Sequence, residues 1–127
     1  MTLFDECKEA LLADFNIVSG NEEKKAIDLL YNYPIATGGV LWKEIKYTDY
    51  DDLYNVLSAN TIKNHDVFVL ADDADIPLFR TNIKLIAENV YDVTALSPTL
   101  FIYNDEIIIQ PLFPSETFRV GLRSDHL

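Results

Sequence analysis

Five apolar residues in an unbroken row, Val67-Phe68-Val69-Leu70-Ala71, bounded by Asp66 and Asp72, constrain the fold more than any other stretch. An alternating strand covers one face of a sheet, whereas a continuous apolar run needs cover on both. The run therefore predicts a central strand with structure packed above and below it.

The rest of the chain supplies that cover. Leu3, Phe4, Cys7, Leu11 and Phe15 recur at steps of three or four, and Thr2 with Asp5 fits a capping box. These predict a first helix ending near Ser19-Gly20. A second begins near Asn21, carries Ala26, Ile27, Leu30 and Tyr31 on one face, and stops at Pro34. Thr37-Gly38-Gly39 reads as a turn before a strand at 40–47. Thr48 with Asp51 resembles another capping box, opening a third helix over 49–58. Pro77 suits the first turn of a helix starting near Ile76, whose stripe is Phe79, Ile83, Ile86, Ala87 and Val90. Strands at 99–103 and 106–113 flank Asn104-Asp105, residues that tolerate the positive backbone angles of a tight hairpin, and a last strand covers 118–122. The expected fold is α/β: a single-domain sandwich over residues 1–127, with a mixed, largely antiparallel sheet and N-terminal helices. At 127 residues and 49% hydrophobic content, the chain is sized for one core.

Charge narrows the function. Twenty-one acids against ten bases leave a net charge of −11, and residues 47–79 hold seven acids and one base, Lys63. Nucleic-acid binders replace the counterions of phosphate with Lys and Arg, so this field disfavours direct contact with DNA, RNA or an anionic membrane. It attracts a basic partner, and it also serves solubility. Cys7 is the only cysteine, which excludes an internal disulfide and a four-thiolate zinc site. No apolar run approaches the length that spans a bilayer, and the N-terminus lacks a basic leader, so a reducing cytoplasm is the expected location.

Two clusters could carry function. LADDADIPLF places Asp72, Asp73 and Asp75 after the central strand, where carboxylates can hold magnesium, cap a helix or meet a cationic partner. Phosphotransferases of the haloacid dehalogenase type also place Asp-x-Asp after an apolar strand. There the motif lies near the chain start and further motifs follow, whereas here about fifty residues remain without a Lys and paired-acid continuation. One Asp is expected to cap the helix near Ile76. The second cluster, YTDYDDLYN, interleaves Tyr47, Tyr50 and Tyr54 with Asp49, Asp51 and Asp52. Tyrosine brings contact area and a polar tip at low entropic cost, and acids beside it suit a Lys- and Arg-rich surface. Tyr50 and Tyr54 could equally face the core.

His65 and His126 lie in polar surroundings, and Ser97, Ser115 and Ser124 lack a nucleophile elbow, so hydrolase chemistry is not expected. SPTLFIYNDEIII resembles the Pro-Thr-strand-turn-strand portion of thioredoxin-like folds, but Cys7 is early and unpaired. No metal and no cofactor are expected.

LFDECKEALL at 3–12, LLYNYPIATGGVLWKEI at 29–45, DVTALSPTLFIYNDEIIIQPLF at 92–113 and FRVGL at 118–122 together resemble the immunity proteins of bacterial contact-dependent growth inhibition systems, in particular the group that neutralises ribonuclease toxins. The resemblance implies a cytoplasmic protein without enzymatic activity. It would bind the C-terminal toxin domain delivered by a neighbouring cell and block its active site as a monomer in a one-to-one complex. The toxin expected is a basic nuclease. Docking surfaces vary among such proteins, so the partner-binding residues expected here, Tyr47, Asp49, Tyr50, Asp51, Asp52, Asp72, Asp73 and Asp75, rest on charge and tyrosine placement. Two alternatives remain: a small acidic secretion chaperone, which would present an apolar groove and dimerise, and a metal-dependent enzyme built on the acids at 72–75.

Overall fold

The structure, a computed structural model, describes residues 1–36 and 39–123. Thr37 and Gly38 of the expected turn, and Ser124 and His126, lie outside the described residues. Seven strands form one sheet: β1 (Phe15–Ile17), β4 (Tyr47–Tyr50), β5 (Asp66–Ala71), β6 (Phe79–Asn82), β7 (Leu100–Tyr103), β8 (Ile107–Leu112) and β9 (Thr117–Leu122). Their spatial order is β1-β6-β5-β7-β8-β9-β4. Every pairing is antiparallel, so the mixed character expected of the sheet is absent among the described residues. The α/β sandwich itself is observed.

One face of the sheet packs against α1 (Leu3–Ala10), α3 (Leu53–Ala59), α4 (Ile83–Glu88) and α5 (Val90–Thr94). Val67, Val69, Leu100, Ile102, Ile107 and Ile109 point into that core. The other face is covered by α2 (Gly20–Leu30) and by the segment containing a small ladder of β2 (Ile35–Ala36) with β3 (Gly39–Val40). Phe68, Leu70, Phe101, Tyr103 and Ile108 pack there. The run at 67–71 is thus covered on both sides, although β7 rather than β5 is the middle strand of the seven. Tyr103 is fully buried, and its hydroxyl donates to the Ala26 carbonyl at 2.7 Å, tying α2 to the sheet.

Three boundaries differ from expectation, the first two because sheet pairing overrides a helical period. The first helix ends at Ala10, and Phe15 enters β1 opposite Thr81 instead of continuing the stripe. There its ring centroid lies 5.0 Å from that of Phe79 and 6.1 Å from that of Phe4. The Thr2–Asp5 capping box is present, with both bonds at 3.1 Å. No helix starts near Ile76. Phe79 and Thr81 face the core and alternate with Arg80 and Asn82 in β6, and α4 begins only at Ile83, where the Asn82 side chain accepts from the Lys84 N–H at 2.9 Å. The same apolar residues therefore point inward through two periods, first two and then 3.6.

The expected strand at 40–47 is interrupted by a single 3-10 turn at Trp42–Glu44, and the strand is displaced to Tyr47–Tyr50. Gly121 of β9 accounts for this. A Cβ there would meet Ile45 Cδ1 at 2.8 Å and Trp42 Cζ3 at 3.1 Å, so the bare backbone lets the segment fold onto the sheet face. Thr48 lies in β4 and caps nothing; Asp52 caps α3, accepting from the Asn55 N–H at 2.8 Å.

Cys7 is fully buried, and that burial, together with Asp92, pushes its thiol up to about 12. A thiol so placed is a packing residue, unreactive at neutral pH.

Candidate docking surface

Antiparallel register decides where each acid goes. Tyr47 opposes Gly121, Asp49 opposes Arg119 and Tyr50 opposes Phe118, so β4 runs toward the end of the sheet where β9 begins. Ala71 opposes Leu100, so β5 finishes at the same end, where β7 begins. Asp51 and Asp52 leave the top of β4, and the connection carrying Asp72, Asp73 and Asp75 leaves the top of β5. The two clusters share one end of the molecule. Four interstrand steps separate them, about 19 Å at the usual spacing.

The acids differ in what already engages them. Arg119 donates to both oxygens of Asp49, at 2.9 and 3.1 Å, and its guanidinium lies 4.3 Å from the centre of the Tyr47 ring. Trp42 meets Tyr47 edge-on at 5.7 Å, and its indole N–H donates to Gln110 at 2.8 Å. Asp49 and Tyr47 thus belong to a stacked network in which the negative charge already has its cation. The hydrogen bond from Arg119 holds the Asp49 carboxyl below the ordinary range. The pair's contribution is complete above the ordinary carboxylate value of about 4 and is lost as pH falls through the lowered native value. In a carbon-detected NMR titration Asp49 should titrate below an ordinary Asp, and Arg119→Met should return its midpoint toward about 3.9.

Tyr50 turns to the helical face, packs against the core, and accepts a 3.3 Å hydrogen bond from Asn60. Asp51 and Asp52 are exposed, and neither takes part in a salt bridge among the described residues. Asp72, Asp73 and Asp75 are exposed as well. Asp73 accepts from the Asp75 N–H at 2.9 Å, closing a turn in place of the expected helix cap, and the Asp72 N–H donates to the Thr99 carbonyl at 2.9 Å. Among the described residues no three His, Cys, Asp or Glu side chains are grouped to hold a metal ion.

Between the two clusters lies a groove of about 440 Å³ that sequence reading did not anticipate. The α5–β7 and β8–β9 connections and the start of α3 build it. Leu53 and Phe118 form its buried floor, while Tyr54, Tyr91 and Phe113 stand around it, 57%, 68% and 75% exposed. Asp51, Asp52 and Glu116 are the charged residues on its lining, with no base among the described ones. The available signals were weak: Tyr91 is an aromatic beside the Val90 stripe, and Phe113 precedes Pro114-Ser115 at a strand end.

Unpaired carboxylates and solvent-facing aromatic rings are groups that contact a protein surface. Family comparison places the chain among the immunity proteins of contact-dependent growth inhibition systems, whose partner is a cognate toxin. It belongs to the CdiI immunity protein EcoliA0-like family, whose model matches residues 1–121, nearly the whole chain. No curated protein matches it. Among the described residues no helix is long and apolar enough to cross a membrane.

Proposed function

We propose that the chain neutralises a basic, nuclease-type toxin domain by forming a one-to-one complex in the cytoplasm and covering the toxin's active site, without catalysing any reaction itself. The observation that carries this reading is the exposure of Asp51, Asp52, Asp72, Asp73 and Asp75 at one end of the sheet, with none of them engaged in a salt bridge among the described residues. A nuclease site is lined by cations that meet phosphate. Carboxylates presented on a rigid sheet end set up a field complementary to those cations, and complementary fields raise the encounter rate. Tyr47 with Asp49 and Arg119 forms the neighbouring border, with Tyr50 bracing β4 from behind.

Co-expression with the toxin domain encoded beside this chain's gene should restore growth, and cleavage of nucleic acid by the purified toxin should cease near one molar equivalent. Cleavage that continues at full activity in the saturated complex would remove active-site occlusion. The apolar groove is also what a secretion chaperone would need, but family membership favours the immunity reading.

A further inference from the structure

The walls of the groove define the chemistry of an occupant that would fit it. Of the five exposed aromatic residues among those described, Tyr31, Tyr47, Tyr54, Tyr91 and Phe113, three stand around this groove. Concentrated apolar exposure of this kind marks contact sites, and aromatic rings are the usual anchors of binding energy. Its charge is one-sided. Asp51 and Asp52 border it at the α3 end, Glu116 at the β8–β9 connection, and no lining residue described is basic. The acids at 72–75 extend the same sign beyond Pro98, since Asp72 is hydrogen-bonded to Thr99. Such a groove repels an anionic occupant. It favours one that is apolar at its centre and cationic at its flanks, with Tyr54 and Tyr91 offering ring faces to a guanidinium or ammonium.

We infer that the groove bounded by Tyr54, Tyr91 and Phe113 is the anchor site for the cognate toxin, receiving an apolar side chain flanked by lysine or arginine. This inference rests on the proposed immunity function and adds to it the place of docking. The anchor supplies residence time, and the surrounding acids supply encounter rate.

The test uses the full chain and the toxin domain encoded beside its gene, with kinetics read on a biosensor. Phe113→Ser and Tyr91→Ser alter exposed side chains, and unchanged urea midpoints confirm that each variant is folded. Together they should raise Kd by about a hundredfold, mainly through faster dissociation. Glu116→Lys should chiefly slow association, by about tenfold at low salt. Tyr31→Ser, equally exposed but away from the groove, should leave both rates unchanged. A Phe113→Ser, Tyr91→Ser double variant that binds like the wild type overturns the anchor site while leaving the immunity function standing. A wild type that fails to bind overturns both. A wild type that sediments as a dimer and becomes monomeric on Phe113→Ser would give the groove to a second copy of this chain, and that too overturns the inference.

Discussion

Asn104→Ala is expected to lower the unfolding free energy by about 3 kcal/mol, although it removes only a few atoms. Asn104 is 2% exposed, and both ends of its amide are used. Its nitrogen donates to the Asn64 and Asp66 carbonyls, at 2.7 and 3.0 Å, and its oxygen accepts from the N–H groups of Glu106 and Ile107, at 2.8 and 3.1 Å. The same residue's backbone carbonyl accepts from the buried Tyr33 hydroxyl at 2.8 Å. Alanine keeps that last bond and strands two donors and two acceptors. The Glu106 and Ile107 N–H groups are buried and each costs about 1–3 kcal/mol if left unsatisfied, whereas Asn64 and Asp66 are exposed residues whose carbonyls water can reach. Asn104→Asp separates the halves, because a carboxylate can still accept from Glu106 and Ile107 but faces two carbonyls where a donor stood. It should fall near the alanine variant, and urea denaturation of the three proteins reads the order directly.

Neutralising the loop at 72–75 should act on function with little effect on the fold. Asp72→Asn, Asp73→Asn and Asp75→Asn together remove three exposed charges, and Asn at 73 retains the oxygen that accepts from the residue 75 N–H. On the proposed reading, association with the toxin should slow by about tenfold at low salt, and the difference should fade as salt rises, since exposed charges act through the long-range field. Dissociation should stay close to wild type because none of the three carboxylates lines the groove. Stopped-flow mixing across a salt series separates the two rates. An equal loss at every salt concentration would mean that these acids act through close contacts instead.

How much of this was legible in the sequence depends on where each structural decision is made. The run at 67–71 and the hairpin around Asn104-Asp105 could be read locally, since their residues form strands and turn within the segment itself. Even there the turn uses another device than expected. No described residue other than glycine has positive φ, and the Asn104 side chain closes the turn through its own amide. The boundaries at Phe15, Phe79 and Tyr47 were decided by distant partners. Phe15 leaves its helical stripe to reach Phe79, and Trp42 and Ile45 settle over a glycine some eighty residues along the chain. The candidate docking surface was half legible for a related reason. Its acids stand out as a charge pattern, but the groove between them is assembled from several separate connections, so Tyr91, Phe113 and Glu116 acquire meaning only once the sheet brings them to one end. Asp49 shows the reverse. In sequence it resembles its acidic neighbours, yet pairing with β9 gives it a cation of its own.

The most direct test of the account is a calorimetric titration of this chain with the toxin domain encoded beside its gene, at about 50 mM and about 500 mM salt, either side of the range where surface charges are screened. The account predicts a one-to-one complex with tight binding at the lower concentration, weakening as salt rises while the apolar anchor keeps it measurable. Absence of binding at the lower salt concentration, by a chain shown to be folded, would contradict it.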